Sequence, residues 1–139
     1  MTDKRAAARA LMEKMMGPGF ADAMEGAERA GGFGAPIAGF AMEHAFADVW
    51  SRPGLTLRDR SLIVIAILIA QGQPAELKNH VKFGVNNGLT PKDIEEILIQ
   101  AYPYVGFPAT STALSATIDA LRAIGVDTAT TTAEERGLL

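Results

Sequence analysis

The sequence predicts an all-α fold, and three observations carry that reading. No stretch shows the strict apolar–polar alternation of a half-buried strand. Segments rich in Ala, Leu, Met, Glu and Lys, all good helix formers, fill most of the chain. Glycines and prolines fall between those segments, where helices stop and start.

The elements follow in order. Residues 3 to 16 form a first helix, and "GPG" at 17 to 19 breaks it. Residues 20 to 30 form a second, smaller helix, ended by Gly31 and Gly32. The "GGFGAP" stretch is a loop, and no phosphate-cradling glycine pattern follows a strand there. Residues 36 to 50, "PIAGFAMEHAFADVW", make a third helix with Ile37, Phe40, Met42, Phe46, Val49 and Trp50 as its apolar members. After "SRPGL", Thr56 with Asp59 three residues on resembles a capping box. That helix runs to about Gln71 and is apolar all round after its first turn, as a helix covered on every side would be. Pro74 opens the next helix and Gly88 ends it. Thr90, Pro91 and Asp93 start a helix through about Val105, which Pro103 should kink or end. "GFP" is a break, and residues 108 to 124 form the last core helix, ended by Gly125. We expect one all-helical domain over residues 1 to 125, six to seven helices in all, and a polar tail over residues 126 to 139 that is frayed or packs as a short helix on a neighbouring subunit.

Composition narrows the function. The chain has 139 residues, 48% of them apolar, enough for one real core. A net charge of −3, scattered basic residues and few aromatics disfavour nucleic-acid binding. With no cysteine there is no disulfide, thiol redox chemistry or thiolate-bound zinc. Two histidines without HExxH-type spacing leave no expected metal site. The most apolar run, "LIVIAILIA", has nine residues, whereas a membrane span needs about 20. The N-terminal segment lacks a signal-peptide apolar region, so the expectation is a cytoplasmic, soluble protein with no membrane partner. A chain of this size would struggle to cover both that run and "EILIQAYPYV", so burial between copies, a homo-oligomer, is expected.

Four places can carry chemistry. Glu76, His80 and Gly84 lie four apart on one helix face. Glu76 can pair with His80 and raise its basicity, and Gly84 should leave the face open one turn on; spacing alone equally fits a solvated or core-edge histidine. Arg52, Arg58 and Arg60 stand in "RPGLTLRDRSL". They read either as salt bridges to Asp59, Glu43, Asp48 or Glu76, or as an anion site for a carboxylate. In "EHAFADVW", His44 sits one turn before Asp48 and reads as a surface pair with it or as a second histidine of a site. In "AYPYVGFP", Tyr104 lies beside Pro103, where a broken helix could turn it toward a ligand.

"HAFADVWSRPGL", "RDRSLIVIAILIAQGQPAELKNHVKFGVNNGLTPKDIEEILIQ" and "YVGFPA" together resemble the carboxymuconolactone decarboxylase family, over roughly residues 40 to 115. The resemblance implies an alkylhydroperoxidase D-like fold, helical subunits assembled as trimers or hexamers. Redox members of that fold carry a CxxC before a histidine. Those cysteines would fall at Gln73 and Glu76, and the glutamate of the proton relay at Ser61. All three are replaced, so the chain is expected not to be a peroxidase. His80 matches the remaining histidine.

The family activity implied is cofactor-free decarboxylation of a γ-carboxylated unsaturated lactone in aromatic catabolism. Loss of carbon dioxide sends electrons into the conjugated lactone carbonyl. The enzyme must then stabilise an oxyanion, deliver a proton to the α-carbon and hold the carboxylates. The roles that follow are His80 as proton donor or oxyanion donor, Glu76 to orient it, Arg52 and Arg60 (with Arg58) on carboxylates, and Tyr104 and His44 lining the pocket. Decarboxylases of the family carry tyrosine at the place of His44, tryptophan at Phe46, glutamate at Asp48 and a cation at Leu57; Val105 is often cysteine, and the "YPY" around Pro103 is unusual. These changes bear on the substrate. The alternatives are an isomerase or cyclase acting on another cyclic or keto acid, and a non-catalytic oligomeric ligand-binding protein of the same fold.

Overall fold

In a computed structural model, which describes residues 2 to 138, the prolines and glycines set the helix ends much as the sequence predicts. The helices are α1 (Thr2–Met16), α2 (Pro18–Ala30), α3 (Pro36–Phe40), α4 (Leu57–Gln71), α5 (Pro74–Asn86), α6 (Pro91–Val105) and α7 (Phe107–Ala123). No strand occurs among the described residues. Four of the seven begin with proline at the first helical position or next to it besides α2, where the missing N–H costs nothing. Only Gly17, at φ 84°, breaks α1 from α2, so α2 starts two residues earlier than residue 20.

The third helix differs from expectation in its winding. After Phe40 it continues without a break as a π-helix over Ala41–Trp50, and Ser51 N–H donates to the carbonyl of Phe46, five residues back, at 3.2 Å. Runs of this kind are rare. The wider turn keeps residues four apart near one face, and Met42, Phe46 and Trp50 are the three that are buried there. Ile37, Phe40 and Val49, apolar members by sequence, are exposed.

The chain forms two compact units, divided between Thr56 and Leu57. In the first, α1 packs on α2 and on the π-helical stretch. Its core is Ala8, Met12, Met15, Ala21, Met42, Phe46 and Trp50. Methionine, unbranched and adaptable, fills such irregular gaps. Arg5 donates to both carboxylate oxygens of Glu28, at 2.7 and 2.8 Å, and to Glu43 at 3.1 Å.

In the second unit α5 packs on α4 and α7, and α6 on α4 and α7. Ile65 and Ile69 from α4, Leu77 and Val81 from α5, Ile94, Ile97 and Leu98 from α6, and Leu89 form the core with Ala113, Ala116, Ala120 and Leu121 from α7. The three alanines are spaced along one face of α7 and let α5 approach closely. Each fully buried Ile or Leu contributes about 1.5–3 kcal/mol.

Thr90 caps α6 with a full capping box: Asp93 N–H donates to Thr90 Oγ1 at 3.0 Å, and Thr90 N–H to Asp93 Oδ2 at 2.9 Å. Pro103 does not end α6, which runs on to Val105. Only two helical residues follow it, so one lost hydrogen bond is tolerated, and Gly106 N–H still reaches the carbonyl of Tyr102 at 3.0 Å. α4 is not covered on every side within this chain: Ile65 and Ile69 are buried, but Ile63 and Ile67 stand open. The tail folds back on α7, where Arg122 pairs with Glu135 and with the carbonyl of Thr130; Thr132 and Ala133 are buried.

Candidate active site around His80

His80 stands in the second turn of α5. Leu77 and Val81, at 1% and 0% exposure, pin that helix to the core and leave His80 half-buried at its edge. Its Nδ1 is shut off from solvent. The Phe83 ring, one turn on and itself buried, meets the imidazole edge-to-face with centroids 5.2 Å apart. Burial lowers the His80 pKa below its ordinary value, and the charge of Glu76, exposed in the first turn, opposes that shift without cancelling it. Glu76 thus raises basicity as the spacing predicts, but desolvation outweighs it, and the imidazole is neutral near pH 7.

A lowered histidine pKa is a statement about stability. Between the folded and unfolded pKa values the unfolded chain binds more protons. The contribution is therefore fully present above about 6.5, the unfolded value, and is lost as pH falls below it. Urea midpoints should drop more between pH 7.5 and pH 5 for the wild type than for His80→Gln. Equal drops would show that burial of the imidazole has no such linkage.

Gly84 does not leave the face open. α5 ends in a reverse turn in which Leu89 N–H donates to the carbonyl of Gly84 at 2.8 Å and Gly88 N–H to that of Val85 at 3.1 Å. Gly88 adopts φ 111°, which glycine alone takes readily. That turn folds Leu89 onto Gly84. A Cβ there would come within 2.9 Å of Leu89 Cδ1 and 3.2 Å of Ile65 Cδ1, both from buried side chains. The spacing sets the three residues on one face, and the neighbour that fills it comes from tertiary packing. Gly84→Ala should cost about 1–3 kcal/mol, by overpacking, read as a lower urea midpoint; an unchanged midpoint would mean that the contact relaxes freely.

The arginines separate. Arg60 is half-buried with its Nε shut off from solvent. Beside it Ser61 is fully buried, and Asn87 Nδ2 donates to Ser61 Oγ at 2.9 Å, tying α4 to the end of the His80 helix. Arg58 follows the salt-bridge reading, reaching Asp59 at 3.1 Å and Asp93 at 3.4 Å. It lines a groove of about 410 Å³ together with Tyr104, Leu62, Asp93, Glu96 and Gln100. His80 and Arg60 do not line that groove. Tyr104, on an unbroken helix, is 83% exposed and sits at its rim, not turned inward.

In the first unit His44 is exposed and stacks on Phe40, centroids 5.7 Å apart and planes 4° from parallel. Asp48, its expected partner, accepts from Lys4 Nζ at 2.9 Å, and Glu43 takes Arg5. Arg52 is exposed in the turn after the π-helix. Two contacts were missed from the sequence: Phe83 against His80, signalled only by its i,i+3 spacing, and Asn87 on Ser61, which no local spacing signals. Among the described residues no three His, Asp or Glu side chains converge as metal ligands, and no helix is long and apolar enough to cross a membrane.

Comparison with known proteins covers this part of the chain. The model of the carboxymuconolactone decarboxylase family matches residues 36–119, a span that contains every candidate residue above. The 4-carboxymuconolactone decarboxylase of Acinetobacter baylyi is 36% identical over 87 residues, 63% of this chain and 65% of that protein. The nitrosuccinic acid decarboxylase of Metarhizium robertsii is 39% identical over 67 residues, 48% of this chain and 47% of that protein. The matched stretch thus spans less than two thirds of each relative. The match covers most of the second unit and the π-helical segment, and with it the chain belongs to the carboxymuconolactone decarboxylase family.

Proposed function

We propose that the chain is a carboxy-lyase that decarboxylates a γ-carboxylated unsaturated lactone of the 4-carboxymuconolactone type, without a cofactor, in the breakdown of aromatic compounds. The observation that carries this reading is the half-buried His80, with its solvent-shielded Nδ1, on the helix the family match covers. As carbon dioxide leaves the γ-carbon, its bonding pair moves through the ring into the lactone carbonyl. A neutral imidazole N–H donates a hydrogen bond to the oxygen on which charge develops. Neutrality suits this role better than release of a full proton, since burial disfavours the imidazolium. The α-carbon then takes a proton from solvent water, the electron pair returns from the oxygen, and the lactone carbonyl re-forms. Glu76 biases His80 by charge, and Arg60, half-buried in the first turn of α4, is assigned to a substrate carboxylate on the motif. Arg58, which pairs with Asp59 and Asp93, is the less firmly assigned of the two, as its side chain is 42% exposed and its charge better screened. The roles of Arg52, His44 and Tyr104 rest on the motif, each testable by its own substitution. We read the chain as no thiol peroxidase, since its sequence offers no cysteine for that chemistry.

The open apolar side chains Ile63, Ile67, Ile99 and Tyr102 support a homo-oligomer, trimer or hexamer, as part of this reading. We read the protein as cytoplasmic.

A second reading is decarboxylation of an acid that is not a lactone, favoured by the relative named for nitrosuccinic acid. The two separate by carbon dioxide release from 4-carboxymuconolactone and from nitrosuccinic acid under identical conditions. The first reading predicts a kcat/KM at least about tenfold higher for the lactone. The reverse order supports the second, and release from neither overturns both.

A further inference from the structure

We propose that Phe83 is a positioning residue for decarboxylation, its ring holding the His80 imidazole in the plane that aims an N–H at the substrate carbonyl. The inference rests on the role given to His80 above. The backbone beneath His80 is fixed within the second unit. Leu77 and Val81, both buried, seat α5 on the core. Leu89 N–H donates to the carbonyl of Gly84, and Asn87 Nδ2 to the buried Ser61 Oγ, so the end of α5 resists sliding along α4. The freedom that remains is in the side chain. The last torsion of histidine is broad, so the residue does not by itself fix the plane of its ring. That plane matters, because the N–H lies in it and a hydrogen bond weakens steeply once its angle falls below about 120°.

Phe83 supplies the constraint. Its ring meets the imidazole at 79°, with centroids 5.2 Å apart. This edge-to-face arrangement is favoured because the positive edge of one ring meets the negative face of the other. Phe83 is itself 7% exposed, yet it is not part of the core cluster that holds α5. It follows Leu77 by six residues, which places it about 120° round the helix from that core-facing side chain. A large apolar ring buried off the core face of α5 and against the histidine serves the histidine. His80 Nδ1 is shut off from solvent, which leaves Nε2 as the nitrogen that a substrate meets. Burial of Nδ1 thus decides which edge of the ring points outward, and Phe83 decides its tilt.

The test reads the ring and the reaction separately. Phe83→Leu and Phe83→Met remove the aromatic ring, Phe83→Tyr keeps it, and each is checked as folded by circular dichroism. The NMR relaxation order parameter of the His80 ring C–H bonds should be about 0.85 in the wild type, the value of rigid backbone, and fall below about 0.6 in the two ring-free variants. His44, the other of the two histidines, lies in the first unit and should not change. In the same variants kcat for carbon dioxide release should fall about two- to tenfold, the worth of one edge-to-face pair, with KM within about twofold. Phe83→Tyr should stay near the wild type in both readouts. A merely structural role would lower the urea midpoint and leave the order parameter and the kcat of the folded enzyme unchanged, and that outcome overturns the proposal. So does a loss of kcat with the ring still rigid, or a wild-type order parameter below about 0.6, which needs no variant to fold. With the wild type active, each of these results spares the role of His80. A wild type that releases no carbon dioxide from either acid overturns that role, and the positioning of its ring with it.

Discussion

His80→Ala should lower the decarboxylation rate by at least about 100-fold while leaving the helical circular dichroism spectrum intact. The ring is half-buried and at the core's edge, so its removal trims one side of α5 without opening the centre, which Leu77 and Val81 hold. The loss should lie in kcat more than in KM, because the hydrogen bond strengthens only as charge forms on the carbonyl oxygen. His80→Asn keeps an N–H donor and should recover part of the rate; His80→Leu should not. A rate within a few-fold of wild type for the alanine variant would remove His80 from the mechanism. Phe83→Leu, which removes the edge contact at 5.2 Å, should have a smaller effect than either.

Ile65→Ala should destabilise the protein by about 2–5 kcal/mol, read from urea denaturation with an unchanged slope. Ile65 is fully buried at the centre of the second unit's core. It packs on the backbone of Gly84, where an added Cβ would come within 3.2 Å of its Cδ1. Truncation leaves a void under the helix that carries His80, and α5, held by the reverse turn at Gly88 and by Asn87 on Ser61, can close it only in part. A cost under about 1 kcal/mol would show that the core collapses around the gap.

Helix placement was legible because it rests on local chemistry: Pro74 at one helix start, Thr90, Pro91 and Asp93 at another, and Gly88 and Gly125 at helix ends. The π-helical winding of Ala41–Trp50 was not, since it alters which carbonyl each N–H meets and leaves the apolar pattern intact. The site was legible as a face but not as a volume. The spacing puts Glu76, His80 and Gly84 on one side of α5, and only tertiary packing shows that Leu89 and Ile65 fill the space at Gly84. The arginine motif named three cations of one type, and the environment of Arg58 follows from α6, which brings Asp93 to it. The net direction of the His80 pKa likewise needed burial, because sequence shows the charge of Glu76 and hides the desolvation that exceeds it.

The central claim, a neutral and desolvated His80 at the reacting oxygen, is tested most directly by the pH dependence of kcat/KM for 4-carboxymuconolactone, which reports the free enzyme. The account predicts a rate that rises with pH through an inflection below about 6.5, the ordinary histidine value, then stays level through neutrality, with that inflection absent from any residual activity of His80→Asn. A rate that falls with rising pH through such an inflection would show that the imidazolium is the working form and would contradict it.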